Sequence, residues 1–260
     1  MIPFPRLLVL DLDGTALGGG HEPYARFPDA LSAWLDRLNA AGCRWGLNTT
    51  WSIPMQQELI AASAVTSRPA CLVAEFGRRI GYDDGAGFRE DPTWDQQTTD
   101  RLKALRREQM DALVARIGRE VTTVDQQDHQ HLFTVRVDPG QADALQEQVP
   151  VWQLAFPDLN LLAHPGGTLD VWPLFLSKGK GQEQVNQHLG LRPAQVAVAG
   201  DSPPDIGLMQ PSVAGLCLAP ENAVEAVQQQ VRTRNGHVGT GIASAGVMDA
   251  FARAFPDWQG

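Results

Sequence analysis

Short apolar runs that stop abruptly at a polar or acidic residue, each followed by a helical pattern, are what most restrict this chain. LLVLD, residues 7–11, comes first, and DALSAWLDRLNAAG follows it with Leu31, Trp34, Leu35 and Leu38 on one helical face. CRWGLNTT reads as the next strand. Ser52 then caps a helix through IPMQQELIAASA, with Pro54 in its first turn. CLVAEFG reads as a third strand. Near the other end, GQEQVNQHLG reads as a helix, AQVAVAGD as a strand, and DIGLMQPSV with AGLCLA as a further helix–strand pair. A βαβαβ order at the start and βαβ at the end predict an α/β fold. Its core is a doubly wound parallel sheet with helices on both faces.

The middle of the chain has another rhythm. DRLKALRREQMDALVARIG is a charged helical stretch, HLFTVRVDP an amphipathic strand, and LNLLAHP with TLDVWPL a hairpin about Gly166 and Gly167. This more polar α+β segment reads as a domain inserted into the first. The expected division is residues 1–79 with 172–260 as one domain and 80–171 as the other. At 260 residues, 43% of them hydrophobic, the chain can build two cores.

A formal charge of -9 disfavours nucleic acid and anionic membrane surfaces as partners. No apolar run is long enough to span a bilayer and no signal-peptide pattern opens the chain, so a cytoplasmic protein is expected. Cys43, Cys71 and Cys217 form no pair with metal-ligand spacing and read as small buried hydrophobes.

Ligands of open α/β sheets sit at the carboxyl ends of the strands. Asp11 and Asp13 fall at such an end, before a turn through Gly14 and Thr15. VAVAGDSPPD repeats the device with Asp201, and Asp205 follows within a turn. Carboxylates gathered at one sheet edge repel unless a cation lies among them, and a hard cation such as Mg²⁺ takes oxygen ligands. Only three of the 21 lysines and arginines are lysines, Lys103, Lys178 and Lys180, and two of them lie in SKGKG. A compact point charge is what lysine offers over arginine, and Lys178 reads as the partner of the acidic cluster. Lys180 reads as a solvated lysine at a helix start. In NTT, which ends the second strand, hydroxyl and backbone N–H groups could hold a phosphoryl oxygen.

These pieces, in this order, resemble the haloacid dehalogenase superfamily of aspartyl phosphohydrolases, whose core is a Rossmann-like sheet. DLDGT (residues 11–15) matches the first motif, Thr49 the second, Lys178 the third, and GDSPPD with Asp201 and Asp205 the fourth. An insert between the second and third motifs resembles the C2 type of cap, and VAEFG the segment that precedes such caps. LDVWPLFLSKGKGQ and RNGHVGTGIASA resemble the sucrose-phosphatase and Cof-like branch. The chain departs from that branch at two places. Thr50 and Trp51 stand where Gly-Arg usually follows the second-motif threonine, leaving the arginine's role unfilled. Pro203 and Pro204 stiffen the loop before Asp205.

The resemblance implies a Mg²⁺-dependent phosphomonoesterase acting on a small phosphorylated substrate, a sugar phosphate in this branch. Asp11 would be the nucleophile and Asp13 the general acid and base. Thr49 and Lys178 would hold the phosphate. Asp11, Asp13 through its carbonyl, Asp201 and Asp205 would hold or support the metal. A hexose phosphomutase using the same phosphoenzyme is the alternative, and a non-catalytic binding protein of the same fold ranks last. His129, His131, Arg136, His164 and Trp94 are candidate readers of the alcohol part of the substrate. His129 and His131 are expected on one face of a strand. The sequence sets no oligomeric state.

Overall fold

A computed structural model describes residues 3–18, 26–129 and 131–258. The first apolar run becomes β1 (Leu7–Leu10), every residue of which is buried. Complete burial requires neighbours on both edges and cover on both faces, and burying each such side chain contributes roughly 1.5–3 kcal/mol. Parallel partners supply the edges. β1 pairs with β2 (Arg44–Asn48), Leu10 opposite Leu47, and with β10 (Val196–Ala199), Leu10 opposite Ala199. The sheet continues through β3 (Cys71–Ala74) on one side and through β11 (Leu216–Ala219) and β12 (His237–Val238) on the other, all parallel. The strand that opens the chain is thus flanked by strands from its two ends, and this change of direction in strand order is where α/β sheets open a crevice.

Helices follow the expected strands for identifiable reasons. α1 (Asp29–Ala40) buries Leu31, Trp34, Leu35 and Leu38, the face its sequence periodicity marks. α2 (Ile53–Ala62) starts where the Ser52 hydroxyl accepts the Met55 N–H at 3.4 Å. Edge-on aromatic contacts of Phe251, in the C-terminal helix Ala243–Ala254, with Phe4 and Trp34 tie both chain ends into one core.

The chain divides into two compact units, Met1–Pro92 with Ser177–Gly260, and Thr93–Leu176. These bounds fall later than 79/80 and 171/172, the positions read from sequence. β4 (Arg79–Asp83) folds back antiparallel on β3, and β5 (Phe88–Glu90) pairs with β4. Both strands therefore extend the sheet of the first unit as an antiparallel edge. Their polar composition reads, by sequence alone, as the start of the insert.

The second unit carries a four-stranded antiparallel sheet in the order β6-β7-β9-β8, made of β6 (Thr123–Asp128), β7 (Phe133–Val137), β8 (Leu159–His164) and β9 (Thr168–Pro173). The expected hairpin is β8 and β9. Period-two alternation puts Phe133, Val135 and Val137 of β7 and Leu169 and Val171 of β9 in a core with Leu102, Leu113, Ile117, Leu145 and Trp152. The charged helical stretch is helix Pro92–Leu105, one π turn (Arg106–Met110) and helix Asp111–Glu120.

Three local expectations are corrected. CLVAEFG is a strand only to Ala74: Glu75 and Phe76 adopt left-handed backbone, φ 55° and 58°, which no strand admits. DIGLMQPSV forms no α-helix. Pro203–Gly207 makes a short 3₁₀ segment, with residues to 213 in turns. His129 and His131 lie beyond β6, in the connection to β7, because pairing ends at Asp128 opposite Phe133.

Candidate active site

Asp11 stands one residue past β1, its N–H still bonded to the Ala199 carbonyl at 3.1 Å, so its backbone remains in the sheet's ladder. Its carboxylate is buried. Lys178 opens the helix Lys178–His188 and sends Nζ to Asp11 Oδ1 and to Asp205 Oδ1, both at 2.6 Å. The three side chains are 5%, 3% and 0% exposed, so water screens this cluster little. The other oxygen of Asp205 accepts the N–H groups of Asp201 and Ser202 at 3.0 Å and the Ser202 hydroxyl at 3.1 Å. Both oxygens of Asp205 are thereby engaged in fixing the loop after β10 and the lysine. Asp201 accepts the Thr15 hydroxyl on Oδ1 at 2.9 Å. Asp11, Asp201 and Asp205 each present an oxygen within 4.8 Å of the others.

One ammonium among three such carboxylates leaves a surplus of two negative charges when all are ionised, the deficit a divalent cation fills. The proton affinities register the crowding. Burial, then the charge of Asp205, raises Asp11 to about 8 against the pull of Lys178. Burial raises Asp201 to about 6 against the Thr15 hydrogen bond. Burial alone would lower Lys178, but Asp11 and Asp205 more than offset it and hold the ammonium charged.

Asp13 points its Oδ2 at Trp51, whose indole N–H donates at 2.8 Å. Thr49, fully buried, follows β2, and its N–H is bonded to the Val73 carbonyl. The register of β1 and β2 puts the end carrying Asn48 and Thr49 beside the end carrying Asp11. Lys180 pairs with Glu183 at 2.7 Å on the surface, the role of a solvated lysine.

Several residues that sequence reasoning left without a role hold this arrangement. The Asn48 amide donates to the Lys178 carbonyl at 2.9 Å, tying the end of β2 to the first residue of the lysine's helix. Gly179 and Gly181 let that helix in. A Cβ on Gly179 would strike the Gly207 carbonyl, and one on Gly181 would lie 2.7 Å from Gly77 Cα. Asn222 clamps the loop after β1, donating to the Gly14 carbonyl at 2.8 Å and accepting the Ala243 N–H at 2.7 Å. Gly14, at φ +77°, admits no Cβ because the Asp201 carboxylate occupies that space. The tight DGT spacing hints at the last of these. Nothing in the sequence hints at Asn48, Asn222 or the glycine pair, whose partners lie far along the chain.

The candidate readers all lie in the second unit. His164 Nε2 meets Asp170 Oδ2 at 2.9 Å, and the Thr134 hydroxyl donates to the other oxygen of Asp170 at 2.7 Å. Arg136 faces Asp125 at 3.8 Å on an exposed surface. His131 is buried, the His129 N–H bonds the Leu132 carbonyl, and Trp94 lies in the helix that starts at Pro92. Among the described residues no histidine joins a metal-ligating group, and no helix is long and apolar enough to cross a membrane.

No curated protein matches the chain by sequence. Solved structures do match its fold. A sucrose-phosphatase from Synechocystis, determined with sucrose and phosphate, aligns with TM-score 0.69 at 20% identity over 96% of this chain and 98% of that one. A haloacid dehalogenase superfamily phosphatase from Bacteroides thetaiotaomicron aligns with TM-score 0.63 at 17% identity, over 97% and 96%. A haloacid dehalogenase-like hydrolase from Bacillus subtilis gives 0.60 at 15%, over 100% and 95%. At such identities the likeness is one of fold. The model of one sequence family, sucrose-6F-phosphate phosphohydrolase, matches residues 4–253. With nearly its whole length matched, the chain belongs to that family and is a phosphatase of the haloacid dehalogenase superfamily.

Proposed function

We propose that this phosphatase hydrolyses the phosphate ester of a small sugar phosphate through an aspartyl-phosphate on Asp11. The observation that carries the reading is the buried Lys178 ammonium shared at 2.6 Å by Asp11 and Asp205. It offsets charge on a nucleophilic carboxylate while leaving one oxygen of Asp11 clear of the lysine. An Asp11 oxygen attacks phosphorus and the bond from phosphorus to the alkyl oxygen breaks. Asp13 gives the leaving oxygen a proton, then takes one from the water that cleaves the acyl phosphate, work worth ~10²–10⁴ in rate. Thr49 and Lys178 hold phosphoryl oxygens and balance their charge. The sugar preference draws on the family's name and on the sucrose and phosphate of the Synechocystis structure. The unit Thr93–Leu176 is proposed as the cap that reads the sugar.

The acidic cluster suits Mg²⁺ by its all-oxygen donors and its surplus of negative charge. Asp11, the Asp13 carbonyl and Asp201 would hold the ion, with Asp205 supporting through the loop and the lysine. When bound, the ion neutralises phosphoryl charge.

Purified protein assayed on a panel of sugar and other phosphate esters should release inorganic phosphate with Mg²⁺ and none with a chelator. Silence across the panel removes the reading. An isomeric sugar phosphate as product, with no free phosphate, would make the protein a mutase.

The raised carboxylates make stability depend on pH. A carboxyl raised in the folded state favours folding below its unfolded value of 3.8, and that contribution is lost as pH climbs through the folded value. Chelator-treated protein should therefore lose stability from Asp201 and Asp11 as pH rises from about 4 to about 8. Saturating Mg²⁺ should oppose that decline. Tm measured at both ends of the range, with and without Mg²⁺, checks it: a chelated protein that gains from Mg²⁺ equally at both ends contradicts it.

A further inference from the structure

Trp51 stands where the branch usually carries arginine, and its surroundings give it a job. Its indole N–H donates to Asp13 Oδ2 at 2.8 Å, the one hydrogen bond that this carboxyl receives among the described residues. The tryptophan is itself held from several sides. Its ring packs against the core of the first unit. Its carbonyl accepts at 3.1 Å from Gln56, a fully buried amide that also donates to the Val73 carbonyl at 3.2 Å, and its N–H lies 3.4 Å from the Thr49 hydroxyl. An exposed aspartate on a turn has free rotation about two side-chain bonds. A rigid donor on one oxygen removes that freedom.

We propose that Trp51 is the positioning residue of the general acid. An N–H can only donate, so it makes Oδ2 an acceptor and assigns the transferable proton to Oδ1. The inference rests on the phosphatase mechanism proposed above. In the step concerned, an Asp11 oxygen bonds to phosphorus, the bond from phosphorus to the leaving oxygen breaks, and the Oδ1 proton passes to that oxygen. The Asp13 carboxylate so formed keeps the indole N–H as its donor until water returns a proton. Trp51 thus touches neither phosphorus nor leaving group, and its effect must depend on how much the leaving group needs a proton.

Leaving-group dependence tests this. Trp51→Phe keeps an aromatic ring in the same packing and deletes the N–H. With sucrose 6-phosphate, whose alkoxide must be protonated, kcat should fall by about 10- to 100-fold with KM nearly unchanged. With p-nitrophenyl phosphate, whose phenolate departs without a proton, the pre-steady-state burst should hold its rate within about two-fold. The burst amplitude counts folded active sites, so kcat on the sugar ester is normalised to it and any unfolded fraction cancels. Equal losses on the two esters make Trp51 merely structural and overturn the inference. So does an unchanged Trp51→Phe enzyme beside an Asp13→Asn enzyme that is dead on sucrose 6-phosphate, and there the mechanism itself survives. Asp13→Asn without effect on the sugar ester, or wild-type protein inert toward both esters, removes the mechanism and the inference together.

Discussion

Asp11→Asn is expected to lower phosphate release by on the order of 10⁴-fold or more, the scale at which removing a covalent nucleophile acts. Substrate carrying labelled phosphate should leave a hydroxylamine-labile phosphoprotein in quenched wild-type protein and none in the variant. The fold should tolerate the change. The amide has the shape of the carboxylate and can still accept from Lys178. It also carries no charge where burial and Asp205 already push Asp11 up to about 8. Tm should hold or rise. Retained turnover with a normal Tm would refute the nucleophile assignment, whereas lost turnover with a collapsed Tm would indicate only a packing defect.

Lys178→Met is expected to cost both activity and stability. The side chain lies between Asp11 and Asp205, and methionine fills a similar volume without the charge. Breaking a buried charge group by removing one partner destabilises by about 3–5 kcal/mol, because the remaining charges stay buried without compensation. The loss should shrink in acid, where the carboxylates take up protons. Adding Asp11→Asn should restore part of it, and a double-mutant cycle by denaturant unfolding reads that coupling directly. Strict additivity of the two changes would mean the 2.6 Å contact carries no energy. Turnover should fall by on the order of 10²–10³-fold, as when one preorganised donor is withdrawn from developing charge.

The sequence disclosed this centre unevenly, for reasons that can be named. β1, β10 and β11 are buried throughout, so both faces impose apolar residues and the strands read as continuous runs whose ends are visible. Asp11 and Asp201 stand out because an acid after such a run is costly without a partner. Lys178 stood out by the rarity of lysine. β4 and β5 did not stand out as sheet, since an antiparallel edge meets solvent on one side and so tolerates Arg79, Asp83 and Glu90. Trp51, Asn48 and Asn222 act through partners 38, 130 and 208 positions away, separations at which no local pattern survives. The 3₁₀ segment after β10 departs from its sequence pattern for a different reason. Apolar spacing in DIGLMQPSV suits a helix, but the Asp205 carboxylate caps the loop from within and Pro211 prevents continuation.

The pairing of Leu7 with Val196 has a bearing on how the molecule comes into being. β1 waits for this neighbour while the 189 positions from Leu7 to Val196 are synthesised. In that interval its ladder groups and apolar side chains stay open on one side, a template for stray association. The middle unit, complete by Leu176, precedes that neighbour off the ribosome. Closure of so distant a contact favours slow acquisition of the native state, and phosphatase competence waits until β10 has brought Asp201 and Asp205 to the sheet.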